Sequence, residues 1–133
     1  MSGLGFSHTL GDKIKAAKGW DLAMRELMLA SKTLPELACC DRTDENKVAG
    51  CQSQVWLAFN TTEAKFQAWS DAKIIRGVLA VLLEVANSHP QAITAQTYIN
   101  YMQEIGLHRH LSQSRANGIT AVIHRLCSVH PRP

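Results

Sequence analysis

The sequence predicts an α+β fold, a small antiparallel sheet of about three strands flanked by several helices. Three observations predict it. Val55–Asn60 and Lys65–Trp69 alternate apolar and polar residues with the two-residue period of a strand. Longer segments carry apolar residues at i, i+3, i+4 and i+7, the spacing of a helix with one inward face. The stretch from about Asp71 to Ser88 is apolar around most of its circumference, as in a helix buried on several sides.

The chain has 133 residues, which argues for one domain over 1–133 with a core that needs no staples. Residues 1 to about 18 hold three glycines and little periodicity, and read as a loose N-terminal arm or a short helix. The first firm helix spans about Trp20 to Leu34. Trp20, Ala23, Met24, Leu27, Ser31 and Leu34 form its inner stripe, widened by Met28 and Ala30, and Pro35 ends it. A connector follows to Asn46, with Cys39, Cys40 and the charged run Asp41-Arg42-Thr43-Asp44-Glu45 on a solvated loop.

The two strands come next, joined by Asn60-Thr61-Thr62-Glu63-Ala64. A lone hairpin is marginal in water, so a third strand is expected, with Lys47–Ala49 the candidate. Ser70 is read as the N-cap of the apolar Asp71–Ser88 helix, with Asp71 in its first turn. Gly77 inside that helix lowers its propensity, which points to a close crossing by another element. Thr94 caps a helix from about Ala95 to Ile105, and Gly106 stops it. After a short turn at Leu107–Leu111, Ser112 caps a last helix from about Gln113 to Val129. Its inner stripe is Ile119, Val122, Ile123, Leu126 and Cys127.

Composition excludes several classes. Hydrophobic residues make up 46%, too many for a disordered chain. No apolar run is long enough to span a membrane. The start lacks the charged and apolar regions of a secretory signal, so a reducing, cytoplasmic compartment is the expectation. The formal charge of +3 is too mild to argue for nucleic acid. Four cysteines and six histidines meet no zinc-ligand spacing, so no metal is expected.

The chemistry centres on Gly50-Cys51-Gln52-Ser53-Gln54-Val55-Trp56, a polar turn that runs into a strand. A cysteine on a loop held by a rigid strand sits where reactive groups collect, and its thiolate is the nucleophile. The same residue type also packs as a small buried hydrophobe, so both readings stand on pattern alone. Arg115 is a cation in the first turn of a helix, the wrong end for the helix dipole. The mismatch leads us to expect a specific partner for it: either a surface ion pair or loop carbonyl, or a role beside the Cys51 loop.

These residues resemble a known family. Gly50-Cys51-Gln52-Ser53-Gln54-Val55-Trp56, Ser70-Asp71-Ala72, Arg76-Gly77 and Leu111-Ser112-Gln113-Ser114-Arg115-Ala116-Asn117-Gly118 stand in the order found in the SufE/CsdE sulfur-acceptor proteins, and the similarity runs from about Trp20 to the last helix. The resemblance implies a SufE/IscU-like fold with a three-stranded sheet. It implies that Cys51 takes persulfide sulfur from a pyridoxal-phosphate cysteine desulfurase of the SufS or CsdA kind, stimulates that enzyme, and passes sulfur to an iron–sulfur scaffold or another acceptor. Arg115 would stabilise the loop or the thiolate. The protein would be an accessory carrier rather than an enzyme, with no cofactor of its own, the pyridoxal phosphate being the partner's. Cys39 and Cys40 lie outside the family pattern. Two other functions fit the residues: a hydrolase or transferase with Cys51 as nucleophile, which needs a histidine base beside it, or an interaction module with a structural Cys51.

Overall fold

The computed structural model of the chain describes residues 9–50, 53–88 and 93–129. Among them lie, in order, α1 (Thr9–Ala16), α2 (Trp20–Ala30), β1 (Val55–Asn60), β2 (Lys65–Ser70), α3 (Lys73–Ser88), α4 (Ala95–Glu104) and α5 (Gln113–Val129). Short 3₁₀ turns fall at Ser31–Thr33, Cys39–Asp41, Asp44–Asn46 and Leu107–His110. The fold is α+β.

The hairpin forms because alternation gives it one apolar face. Val55 pairs with Ser70, Leu57 with Ala68 and Phe59 with Phe66 on the inner side, and Trp56 faces Trp69 on the outer side. Phe59 and Phe66 meet edge to face at 5.1 Å, a favoured aromatic geometry. The connecting turn needs no Asn-Gly. Asn60 Oδ1 accepts from the Glu63 N–H at 3.0 Å, and Ala64 takes the left-handed backbone, φ 54°.

The described sheet has two strands rather than about three. The Lys47–Ala49 segment does lie along β1, but as a single antiparallel bridge, Lys47 to Trp56. The free edge of β2 carries a parallel bridge at Glu36. There Leu37 N–H donates to Ala68 O and Ala68 N–H to Pro35 O, each at 3.0 Å. Proline lacks an N–H and can serve an edge only as an acceptor, so this segment stops at one bridge. Both edges are thus covered without a full third strand, which removes an exposed pairing surface.

Helix α3 packs against the inner face of the hairpin and against α2. Val78, Leu79, Val81, Leu82, Leu83 and Val85 on it are wholly buried. Gly77 marks the crossing with α2. A Cβ there would overlap the Leu27 carbonyl oxygen and stand 2.9 Å from its carbon and 3.2 Å from Leu27 Cα. Helix α3 starts at Lys73 rather than Asp71. Ser70 is the last residue of β2 and fully buried, its hydroxyl accepting from Ala72 N–H at 3.2 Å. Asp71 is therefore outside the helix and free to bond elsewhere.

The first eighteen residues include a real helix. Ile14 of α1 is buried, and Glu84 of α3 accepts from the N–H of Leu10 at 3.0 Å. A carboxylate from another element thereby satisfies the orphan donors that a local cap would otherwise serve. In α2, Ala23, Leu27 and Ala30 face inward as expected, but Trp20 is 62% exposed. It sits at the first position of the helix, where the stripe overhangs the core. The expected length to Leu34 is met by α2 plus the Ser31–Thr33 turn, whose hydroxyls donate back to the Met28 and Ala30 carbonyls.

Candidate functional site

Cys51 and Gln52 lie outside the described residues, but the limbs that carry them do not. Val48 N–H donates to Val55 O at 2.8 Å, and both valines are buried. That bond closes the base of the loop and anchors it in the core. On the rising limb, Gly50 has φ 89°, a left-handed conformation that costs glycine little. A Cβ on Gly50 would stand 3.6 Å from the Ala121 Cβ of α5, so this limb rests on that helix. On the falling limb, Gln54 N–H donates to Asp71 Oδ1 at 3.1 Å. The Asp71 bond was not legible in the sequence, where Asp71 read as a first-turn helix residue.

Helix α5 supplies the other wall. Ser112 caps it, accepting from Arg115 N–H at 3.3 Å, and Thr94 caps α4 through Thr97 N–H at 3.2 Å. Between α5, β1 and α3 lies a cavity of about 110 Å³, lined by Ser53, Val55, Ile75, Ser114, Arg115 and Gly118 among others. Its floor is apolar and its rim polar. Ser53, two residues from Cys51, and Arg115 thus border one space. Arg115 is exposed, and among the described residues its guanidinium makes no ion pair or side-chain hydrogen bond. The helix N-terminus adds its partial positive charge to the same rim.

The outer face of the hairpin is held by two further cations. Arg76 lies over the Trp69 ring at 4.5 Å and donates to Ser70 O at 2.7 Å. Arg42 lies over the same ring at 4.2 Å and donates to Leu37 O at 2.9 Å. These cation–π contacts tie the connector and α3 to the strand that ends next to Asp71. The Arg76-Gly77 pair therefore has two structural tasks, one on each side of α3.

The other cysteines differ. Cys39 and Cys40 are exposed, on the 3₁₀ turn that precedes Arg42. Cys127 is half-buried rather than wholly in the core, and its thiol donates to Ile93 O at 3.2 Å. Burial pushes the Cys127 thiol above its ordinary range, which lowers its thiolate fraction. Among the described residues no group of three His, Cys, Asp or Glu side chains could hold a metal ion. Among them, too, no helix is long and apolar enough to cross a membrane.

The Asp71 contact carries a prediction. Asp71→Ala removes one exposed hydrogen bond, so stability should fall by no more than about 1 kcal/mol. The falling limb loses its tether, and alkylation of Cys51 should speed up several-fold. Timed iodoacetamide labelling with peptide mapping checks this, with Cys127 as the internal reference. Equal rates in both proteins would mean that the bond does not restrain the loop.

Residues 8–129 match the SufE family, described as an Fe-S metabolism associated domain. The chain is 39% identical over 116 residues to an uncharacterized SufE-like protein of Rhizobium meliloti (strain 1021), covering 82% of this chain and 83% of that one. It is 38% identical over 114 residues to an uncharacterized SufE-like protein of Rhizobium etli, covering 80% and 77%. It is 32% identical over 120 residues to the sulfur acceptor protein CsdE of Escherichia coli (strain K12), covering 87% and 82%. With the family matched over nearly all of its length, the chain belongs to the SufE family.

Proposed function

We propose that this protein is a sulfur acceptor of iron–sulfur metabolism that receives persulfide sulfur on Cys51 from a pyridoxal-phosphate cysteine desulfurase. The observation that carries the reading is the small cavity beside the Cys51 loop, with an apolar floor and a rim of Ser53, Ser114 and Arg115 at a helix N-terminus. A volume of about 110 Å³ is several times that of a water molecule. It is the size for a terminal –CH₂–S–S⁻ group. The helix end and the Arg115 cation favour an anionic sulfur.

The reaction is a thiol exchange. The Cys51 thiolate attacks the outer sulfur of the donor's persulfide. A new S–S bond forms on Cys51, the donor's S–S bond breaks, and the donor cysteine leaves as a thiolate. No net oxidation occurs, and the donor is freed for another turnover. The pyridoxal phosphate stays with the desulfurase. A second thiol exchange would then pass the sulfur to an iron–sulfur scaffold or another acceptor. A hydrolase reading needs a histidine base, and none of the described histidines lines this cavity.

The test is incubation with a desulfurase and cysteine, followed by peptide mass mapping. A gain of about 32 Da, one sulfur atom, should fall on the Cys51 peptide. Sulfur mainly on Cys39, Cys40 or Cys127 would refute the assignment. Arg115→Ala should slow loading about fivefold, the effect of about 1 kcal/mol for a partly exposed charge contact. The melting temperature should move little. An unchanged loading rate would remove Arg115 from the site.

A further inference from the structure

A second cavity, of about 360 Å³, lies between the connector and the hairpin. Its volume is in the range of small-molecule sites, and sulfur transfer makes no use of it. Leu37, Asp41 and Asn46 form its connector wall, and residues 58–61 with Gln67 form its hairpin wall. The connector wall is held in place from three sides. Arg42 Nε donates to Leu37 O at 2.9 Å, Asn46 Nδ2 donates to Asp41 O at 2.8 Å, and Arg125 of α5 donates to the Glu45 carbonyl. A wall fixed in this way loses little freedom when a ligand arrives.

The polar groups of the two walls have opposite roles. On the connector, Asn46 uses its Nδ2 within the fold, which leaves Oδ1 as an acceptor. Asp41 is exposed, and its carboxylate meets no cation among the described residues, where the ion pair is Lys65–Glu63. The neighbouring Arg42 is turned onto the Trp69 ring instead. On the hairpin, Asn60 Nδ2 donates to Gln67 Oε1 at 3.3 Å, which leaves Gln67 Nε2 as a donor. The Thr61 hydroxyl is a second donor on that wall, and Leu37, Ala58 and Phe59 supply apolar lining. No lysine or arginine lines the cavity, so a phosphate or a carboxylate would meet only the like charge of Asp41. A calcium-type ion needs about six to eight oxygen ligands, and one carboxylate is too little to hold it.

We propose that this cavity binds a primary ammonium group carried next to a neutral carbonyl on an apolar body, the chemistry of a peptide's N-terminal residue. The ammonium donates to Asp41 and Asn46 Oδ1, a charge-assisted contact of the stronger kind. The carbonyl accepts from Gln67 Nε2 and the Thr61 hydroxyl. The first side chain lies against Leu37, Ala58 and Phe59. A free amino acid shares the ammonium but adds a carboxylate that no cation in the cavity receives, so the peptide terminus is the favoured source.

The experiment is a chemical-shift titration of the full chain with L-leucinamide at about pH 6.5, where an α-amine is protonated. Binding is expected at about 1 mM, with shifts at Asp41, Asn46, Thr61 and Gln67. N-acetyl-L-leucinamide lacks the ammonium and should bind at least about tenfold more weakly, as should free L-leucine. Raising the pH to about 9 should weaken leucinamide binding, because the amine loses its proton near pH 8. Asp41→Asn should weaken it about tenfold without moving the melting temperature, since no hydrogen bond within the fold rests on that carboxylate. Absence of shifts at the four residues would overturn the proposal. So would equal binding of the acetylated probe or of free leucine, or an unchanged affinity in Asp41→Asn. Cys51→Ser should bind leucinamide as the wild type does, so the result stands apart from sulfur transfer.

Discussion

Replacing Cys51 by serine is expected to abolish sulfur acceptance while leaving the fold intact. Serine and cysteine are nearly isosteric, and the described supports of the loop come from its neighbours. The Val48–Val55 bond, the Gln54–Asp71 bond and the Gly50 contact with Ala121 all belong to its neighbours. The melting temperature should therefore stay within about 2 °C of wild type, a shift below about 1 kcal/mol for a domain of this size. The chemistry should vanish because a hydroxyl is hardly ionised near neutral pH, whereas a thiol has an accessible thiolate. Stimulation of the desulfurase should vanish with it, since nothing removes the donor's persulfide. Binding to the desulfurase should remain, because exchanging one sulfur for oxygen leaves the described surface around the loop unchanged. Mass mapping of the variant decides the matter. The exposed Cys39 and Cys40 are the competitors, and sulfur on either, with full stimulation retained, would move the acceptor to the connector.

Gly77→Ala should destabilise the protein, against the direction that helix propensity gives. An exposed mid-helix Gly→Ala change gains about 1 kcal/mol. At Gly77 the added methyl meets backbone, the Leu27 carbonyl group of α2, not a side chain that can rotate away. Helix α2 has to shift off α3, which disturbs the packing of Leu27, wholly buried at this crossing. Overpacking of this kind costs about 1–3 kcal/mol and more when the backbone moves. The net expectation is a loss of about 2 kcal/mol in a urea titration, with the slope unchanged. A variant more stable than wild type would mean that α2 and α3 do not cross at this residue.

Period and punctuation in the sequence were enough for the four helices after α1 and for both strands, because hydrophobic repeats report directly on which face is buried; α1 was left open between a loose arm and a short helix. They placed α3 at the centre, predicted the close crossing at Gly77, and put Ser112 and Thr94 at helix starts. The same residues, by their order, identified the family. What they left undecided depended on partners distant in the chain. Asp71 looks like a first-turn helix acid until β2 runs one residue further and frees it for Gln54, seventeen positions away. Trp20 matches the apolar stripe of α2, but only the packing shows that the first turn overhangs the core. The expected third strand at Lys47–Ala49 is a single bridge to Trp56, and the Pro35–Leu37 segment, which no alternating pattern marks, lies on the other edge. Arg115 read as a cation in want of a partner. Its place on the rim of a cavity shared with Ser53 comes from α5 packing on β1, a contact between residues some sixty positions apart that no local pattern encodes.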